Sequence, residues 1–437
     1  MSEKHTPCII VPGIGQSMIE LLDNNGHKIK MAWQLDIDGD KFVRELKFPL
    51  IRSVILRHDL GLSKKMSALV DEAVDPIATK PDGTMKNNIR VVDYPQSVAE
   101  CSEEDRKYIY RMVPMQKLGQ LIGEENLYFF SYNSFGEPYK TASDLNDFIQ
   151  KIKKERNCDK VNIVPVSMGG AMSVAYFDAY GHQNDIKRVM YFVAALQGTP
   201  VISDLMDMNI NTGRAVSFIR FIASRQAAEG IEKIQKILPD KVFDSLIKSA
   251  VDSVRKKVVL HCPSLWSTIP PETYDYLSKK YLSDKSLSVL KEKADRFYKA
   301  QKAFPETFLK LQEQGVEFFA VTGYNLQLMP IVNSDKASSD AMINIESASL
   351  GATASPLGEK LKNVDSDSDY ISPDGTIDAS TSLMPDRVWY FKDQQHDNTA
   401  YNQTALEVAA RVLSDDSFNS VYSSADLPRF GIKADKK

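Results

Sequence analysis

A serine lies between an apolar strand-like run and a helix of small residues in segment 161–177. Ser167 stands in the order Pro165-Val166-Ser167-Met168-Gly169. At a sharp strand-to-helix turn, a serine hydroxyl stands clear of the sheet, beside the partial positive charge of the helix N-terminus. The pattern therefore predicts a nucleophile for acyl-transfer chemistry. The alternative is a serine that only caps the helix, because the usual Gly-x-Ser-x-Gly motif has proline at its first position here.

A glycine turn follows the first apolar run and supplies a second part of the expected chemistry. It reads Pro12-Gly13-Ile14-Gly15. Glycines let the backbone, rather than a side chain, approach a substrate carbonyl. We predict that the backbone amides of Ile14 and Met168 form an oxyanion hole and that Gly13 and Gly15 contact the substrate.

One of the six histidines lies where a general base is expected. His396 follows the strand-like run 388–391 and precedes an amphipathic helix through residues 406–412. A histidine in such a loop can reach the nucleophile at the carboxyl edge of a parallel sheet. We predict His396 as the base and interpret the other histidines as surface or core residues: His5, His27, His58, His182 and His261.

The acid of a triad is expected between the serine and the histidine in sequence order. Asp374 in Ser-Pro-Asp-Gly-Thr, at 372–376, is the chosen candidate. An ordinary Pro-Asp-Gly turn is the alternative. The competing carboxylates are Asp378, Asp386 and Asp393.

The elements that must position these residues alternate between short β-rich runs and helical patterns. This alternation predicts an α/β-hydrolase fold, a mainly parallel sheet with helices on both faces. The strand candidates are 8–11, 127–131, 161–164, 189–194, 316–322 and 388–391. We expect core parts at 1–199 and 316–437, an irregular insertion at about 24–115, a helical cap or lid at 200–315, and a long loop at 333–373.

Composition limits the function classes. With 43% hydrophobic and 26% charged residues the chain is globular, and a net charge of −4 lacks the basic surplus of a nucleic-acid binder. No apolar run approaches the roughly 20 residues of a membrane span, and the N-terminus reaches a strand without a signal-peptide pattern. We expect a cytoplasmic protein. Two questions stay open: whether it makes peripheral, transient contact with a membrane, and what its oligomeric state is.

Metal and cofactor motifs are missing from the sequence. The four cysteines form no CxxC pair, and the acidic run 365–369 lacks the glycine and glutamate of a calcium loop. We therefore expect neither a metal nor a cofactor.

Five segments in the same order resemble the lecithin:cholesterol acyltransferase family, which includes lysosomal phospholipase A2 and phospholipid:diacylglycerol acyltransferases. They are 11–17, 128–142, 166–170, 263–270 and 373–377 leading to His396. The resemblance implies a helical cap, acyl-ester chemistry by Ser167, Asp374 and His396, and substrate contacts at Tyr132 and Trp266. The chain departs from the family at Pro165-Val166, where Gly-His is usual, in the missing Asp-Trp-Arg, and in the absent lid cysteine pair. A microbial esterase or lipase relative is expected.

These features together predict a serine hydrolase that cleaves a carboxylic ester. A lipid or phospholipid is favoured because the helices of the block 200–315 each have an apolar side that could cover the site. Packing in the core alone would produce the same apolar sides. Acyl transfer to an alcohol uses the same residues and remains an alternative. A binding protein that has lost its chemistry is the other alternative, motivated by Pro165.

Overall fold

The computed structural model describes residues 5–33, 39–222, 225–334 and 336–431. Residues 34–38, 223–224 and 335, which fall in the predicted insertion, cap and long loop, lie outside the described residues. The strands are β1 (Cys8–Val11), β2 (Ile19–Leu22), β3 (Lys28–Trp33), β4 (Ile89–Val91), β5 (Leu127–Phe129), β6 (Val161–Pro165), β7 (Ile186–Phe192), β8 (Glu317–Tyr324), β9 (Thr353–Ala354), β10 (Ile377–Asp378), β11 (Val388–Lys392) and β12 (Phe430–Gly431).

The helices alternate with these strands along the chain. They are α1 (Gly39–Leu56), α2 (Leu62–Val74), α3 (Glu103–Met112), α4 (Gln116–Ile122), α5 (Pro138–Arg156), α6 (Gly169–Tyr180), α7 (Pro200–Asp207), α8 (Ala215–Ile222), α9 (Arg225–Ile237), α10 (Asp240–Val254), α11 (Pro263–Trp266), α12 (Pro271–Tyr281), α13 (Ser288–Glu313), α14 (Ile345–Ala348), α15 (His396–Thr399) and α16 (Gln403–Ser414).

The central sheet has seven strands in the order β12-β11-β8-β7-β6-β1-β5, and each neighbouring pair is parallel. Its strands are apolar on both sides, as a sheet covered on both faces requires. In β1, Ile9 and Val11 join the core that α5, α6 and α13 cover. Cys8 and Ile10 join the opposite core, covered by α3, α4 and α16. The predicted α/β-hydrolase fold is confirmed by this sheet and its helices.

The direction of chain progression reverses between β1 and β6. From β1 the chain continues to β5 on one side, and it then crosses to β6 on the other side. In open parallel sheets, ligands bind outside the carboxyl ends of the strands at such a switch point. The turns after β1 and β6, which carry Gly13 and Ser167, are therefore neighbours.

The insertion and the helical block pack together in a way that the sequence pattern did not predict. Strands β2, β3 and β4 form a small antiparallel sheet. Helices α1, α2, α8, α9 and α10 share an apolar cluster with the loop 328–332. Helix α13 instead covers the main sheet beside α6, through Phe304 and Phe308. The block 200–315 thus divides between a separate helical cluster and the main core.

No helix in the described ranges is long and apolar enough to cross a bilayer.

Candidate functional site

Ser167 occupies a strained turn between β6 and α6. Its φ is 53°, in the left-handed region, and its amide donates a hydrogen bond of 3.0 Å to the Phe192 carbonyl. A non-glycine residue held in this region costs on the order of 1–3 kcal/mol, and such residues cluster at functional sites. Glycine is required two positions later, since a Cβ on Gly169 would lie 2.3 Å from the Val11 carbonyl oxygen.

Pro165 does not prevent this turn from forming. It is the last residue of β6, it is buried, and it pairs with Val11 of β1. The next amide, that of Val166, donates to the Val11 carbonyl at 2.9 Å. The serine therefore reaches its left-handed conformation with proline in place of the first glycine of the motif.

His396 begins α15 and is placed between the serine and a carboxylate. Its Nε2 lies 2.9 Å from Ser167 Oγ, and its Nδ1 lies 2.7 Å from Asp340 Oδ2. The ring is 7% exposed. Its backbone amide also donates to the Asp340 carbonyl at 2.7 Å, which fixes the two loops relative to one another. The structure thus brings Ser167 and His396 together as the sequence predicted.

Asp340, which the sequence analysis did not select, is the carboxylate that contacts this histidine. It is fully buried, and its Oδ1 accepts hydrogen bonds from the amides of Met342 and Ile343 at 2.9 and 2.8 Å. Its remaining oxygen faces the histidine. A buried carboxylate with both oxygens hydrogen-bonded can hold an imidazole in one tautomer and orientation.

The chain reaches Asp340 by a loop that returns to the sheet. After β8 ends, Leu326 and Ser339 exchange two backbone hydrogen bonds, of 2.9 and 3.0 Å. The returning strand segment therefore lies beside the end of β8. Close packing there requires Gly323, because a Cβ on it would lie 2.0 Å from the Gln394 carbonyl oxygen and 3.0 Å from Asp340 Cβ.

The prediction that Asp374 contacts His396 is wrong in this structure. Asp374 Oδ1 accepts hydrogen bonds from the hydroxyls of Ser372 and Thr376, at 2.6 and 2.7 Å, and Oδ2 pairs with Lys392 at 2.9 Å. Burial raises the pKa of Asp374, but these hydrogen bonds and Lys392 outweigh it and lower the pKa overall. The carboxylate therefore stabilises its own Pro-Asp-Gly turn, the alternative considered from the sequence.

The three competing carboxylates also have other partners. Asp378 accepts from the Ser380 amide and hydroxyl in a local turn. Asp386 binds Tyr370 and Arg429, and Asp393 accepts from the Asn325 side chain.

The electrostatic environment of His396 favours its protonated form. Burial lowers the pKa of the imidazole, but the charge of Asp340 and the hydrogen bond to it outweigh this effect, so the pKa is raised above its ordinary value. A histidine that acts as a general base becomes an imidazolium when it takes up a proton. A carboxylate paired with the ring stabilises this charged form.

The glycine turn after β1 is held in place by side chains of its surroundings. Gln16 Oε1 accepts a hydrogen bond from the Gly13 amide at 2.6 Å, while Gln16 Nε2 donates to the Met112 carbonyl at 2.7 Å. Within the described residues, no acceptor is present for the amides of Ile14 and Met168. These are the two amides predicted for the oxyanion hole.

Ser167 and His396 open into a cleft of about 500 Å³. Of the residues predicted to contact the substrate or its oxyanion in these two turns, Gly13 and Ile14 line the cleft, whereas Gly15 and Met168 are not among its lining residues. Most of the wall comes from residues that no motif marked: Trp33, Arg111, Met112, Phe192, Val193, Met329, Met342, Asp397, Ala400 and Tyr401. Trp33 ends β3 and Met112 ends α3, so the predicted insertion at about 24–115 forms part of the cleft.

Tyr132 and Trp266, predicted as substrate contacts, do not line this cleft. Tyr132 is 3% exposed, and its hydroxyl donates to the Pro12 carbonyl at 2.8 Å, beneath the glycine turn. Trp266 is 2% exposed, and its Nε1 donates to the Leu260 carbonyl at 2.9 Å. Both aromatic side chains are packing residues, because each is covered by the main core.

Within the described ranges, no group of three or more His, Cys, Asp or Glu side chains could hold a metal ion.

No family model and no curated protein sequence matches this chain. Among solved structures, the chain is similar to the mature lipase BlEst2 of Bacillus licheniformis, with 10% identity, a TM-score of 0.23, and coverage of 54% of this chain and 64% of that one. It is also similar to phospholipase PlaB of Legionella pneumophila, with 13% identity, a TM-score of 0.31, and coverage of 77% and 60%.

A third similar structure is a lipase-esterase related protein of Clostridium acetobutylicum. The identity is 12%, the TM-score is 0.18, and the match covers 44% of this chain and 88% of that one. The matched region spans less than two thirds of BlEst2 and of PlaB.

Proposed function

We propose that this chain hydrolyses carboxylic esters through an acyl-enzyme on Ser167. The observation that supports this most directly is the pair of hydrogen bonds from Ser167 Oγ to His396 and from His396 to Asp340, at 2.9 and 2.7 Å. The nucleophile, the base and the acid that orients the base are thus joined by hydrogen bonds, and the serine lies in a strained turn.

In the first half of the reaction, Ser167 Oγ forms a bond to the ester carbonyl carbon while His396 Nε2 takes the hydroxyl proton. The carbonyl oxygen becomes negative and accepts hydrogen bonds from the amides of Ile14 and Met168. Each such donor contributes about 3 kcal/mol to the transition state. The carbon–oxygen bond to the leaving group then breaks, and His396 donates its proton so that a neutral alcohol departs.

In the second half, water takes the place of that alcohol. His396 removes a proton from the water as its oxygen attacks the acyl carbon, and the bond to Ser167 breaks with return of the proton to Oγ. Throughout both halves, Asp340 keeps Nδ1 protonated and stabilises the imidazolium.

The proposed substrate is the ester of a lipid. The cleft is lined by the apolar side chains of Trp33, Met112, Phe192, Met329 and Met342, together with the polar side chains of Gln16, Arg111 and Asp397. Unbranched methionine side chains adapt to flexible apolar ligands, and apolar walls with a few convergent polar groups are typical of small-molecule sites. An acyl chain fits this chemistry better than a polar substrate does.

Labelling with a fluorophosphonate probe tests the nucleophile. We expect wild type and Ser173→Ala to be labelled and Ser167→Ala not to be. Ser173 is a matched control because it is a buried serine in the first turns of α6 whose hydroxyl donates to the Gly170 carbonyl. Equal labelling of all three proteins would overturn the proposal.

Product analysis with a labelled acyl donor tests hydrolysis against acyl transfer. We expect the same yield of free fatty acid with and without a sterol or glycerol acceptor. A fall in free acid that is matched by a new acceptor ester would reassign the reaction to acyl transfer.

A further inference from the structure

Helix α1 exposes a row of large apolar side chains that no other described element covers. Phe48, Ile51 and Ile55 follow one another at spacings of three and four, so they lie on one side of the helix. The exposed fractions are 74% for Phe48, 45% for Ile51 and 70% for Ile55, with Val43 at 71% and Leu56 at 56% near the two ends.

The exposed row is not needed to hold α1 in place. A different set of apolar side chains, Phe42, Leu46, Leu50 and Val54, packs against the helical cluster shared with α2 and α10. A surface helix of a globular protein usually has one apolar side and one polar side. Helix α1 is therefore apolar on a second side that the fold itself does not use.

Basic side chains accompany the outward apolar row. Arg44 and Arg52 are each four positions from Phe48, and Lys47 is four positions from Ile51; all three are exposed. Helix α1 has two carboxylates: Asp40 in its first turn, and Glu45, which pairs with Lys65 at 2.6 Å and lies 3.9 Å from Arg44. The outward side of α1 is therefore cationic in a chain whose net charge is −4.

We propose that the outward side of α1, formed by Arg44, Lys47, Phe48, Ile51, Arg52, Ile55 and Leu56, docks on the surface of a bilayer that contains anionic phospholipid. A helix in the interfacial plane buries its apolar side chains at the acyl boundary, while long basic side chains extend to the lipid phosphates. A second copy of this chain fits less well, because a two-fold contact would bring together two surfaces on which basic side chains outnumber carboxylates.

The docking surface is connected to the cleft through packing. Met329 belongs to the apolar cluster on which α1 rests, and it also lines the cleft beside Ser167. Membrane docking would place Ser167 near its substrate, because the membrane on which α1 lies would supply the lipid ester. This role of α1 rests on the proposed function.

Vesicle co-sedimentation of the full chain tests the docking. The vesicles are phosphatidylcholine alone or an equal mixture with phosphatidylglycerol. We expect wild type to bind the mixed vesicles more tightly, with binding that weakens as salt is added. Phe48→Ser/Ile55→Ser should weaken this binding at least about tenfold, and Lys47→Gln/Arg52→Gln about fivefold for each cation removed.

The matched control is Leu309→Ser, which removes an apolar side chain that is 46% exposed on another helix, α13. It should bind vesicles as wild type does. All variants should retain wild-type thermal unfolding and wild-type hydrolysis of a short soluble ester, so that loss of binding is not loss of fold.

Ser167→Ala separates this inference from the proposed function, since it should lose hydrolysis and keep vesicle binding. The docking proposal is overturned if wild type binds mixed vesicles no better than Phe48→Ser/Ile55→Ser does. It is also overturned if sedimentation velocity shows a dimer that this double variant dissociates, because α1 would then contact a second copy.

Discussion

Replacing Asp340 by asparagine exchanges one carboxylate oxygen for an NH₂ group. Asp340 is the buried acid that is hydrogen-bonded through His396 to Ser167. The direction of the new amide is determined by its surroundings. Oδ1 of Asp340 accepts hydrogen bonds from the amides of Met342 and Ile343, at 2.9 and 2.8 Å. An asparagine must keep its oxygen there, because its NH₂ group would otherwise face two backbone donors.

The NH₂ group of Asp340→Asn would therefore point at His396 Nδ1, now 2.7 Å from the acid. Nδ1 would have to accept that hydrogen bond, and the ring proton would move to Nε2, where it faces Ser167 Oγ. Nε2 could then no longer take the serine proton. For the same change in the triad of a serine protease, the loss is about 10⁴-fold, and we expect a similar loss here, equivalent to about 5 kcal/mol.

The assay compares kcat/KM for a short-chain p-nitrophenyl ester in wild type, Asp340→Asn and Asp374→Asn. Asp374→Asn is the matched control, since it makes the same chemical change at the acid that the sequence favoured, and it should stay near wild type. Thermal unfolding of all three proteins checks that they are folded. Wild-type kcat/KM in Asp340→Asn, or an equal loss in Asp374→Asn, would refute the role of Asp340 as the acid that orients His396.

Two further predictions concern the same loops. Gly323→Ala should lower the free energy of unfolding by about 1–3 kcal/mol and reduce kcat/KM, because the new Cβ would displace Gln394 and Asp340. The control is Gly230→Ala in α9, where a Cβ meets nothing within 4 Å, and it should be neutral or stabilising. Equal effects at both sites would contradict the steric explanation. Since the pKa of His396 is raised and the neutral ring is the base, kcat/KM should fall as pH drops through a midpoint above about 6.5. A midpoint below that value would contradict the stabilising effect of Asp340, and Asp340→Asn should move the midpoint downward.

The nucleophile turn and the base could be predicted because their signals are local. Ser167 lies directly between a buried strand and a helix rich in small residues, and His396 lies directly after another strand. The carboxyl ends of parallel strands meet at one edge of a sheet, so residues just after β6 and β11 must come close together. The strand-like runs 161–164 and 388–391 locate both residues directly after strands.

The acid could not be selected in this way, because it lies 16 positions after β8 ends in a segment with no periodic pattern. Sequence order admits every carboxylate between Ser167 and His396, and Asp374 has the more recognisable turn. Tertiary hydrogen bonds bring Asp340 back to the end of β8, among them the pair between Leu326 and Ser339 and the bond from the His396 amide to the Asp340 carbonyl. Gly323 was a usable signal, since a glycine at a strand end indicates that another backbone approaches closely.

By itself the sequence determined the fold class, the strand-serine-helix turn, the glycine turn and the histidine loop, since each depends on neighbours within a few residues. Tertiary structure decided which carboxylate meets His396, that Tyr132 and Trp266 are packing residues, and that Trp33 and Met112 of the insertion line the cleft. These outcomes depend on contacts between segments far apart in the chain. Periodicity and motif spacing specify which side of an element is apolar, but not which distant segment packs against it.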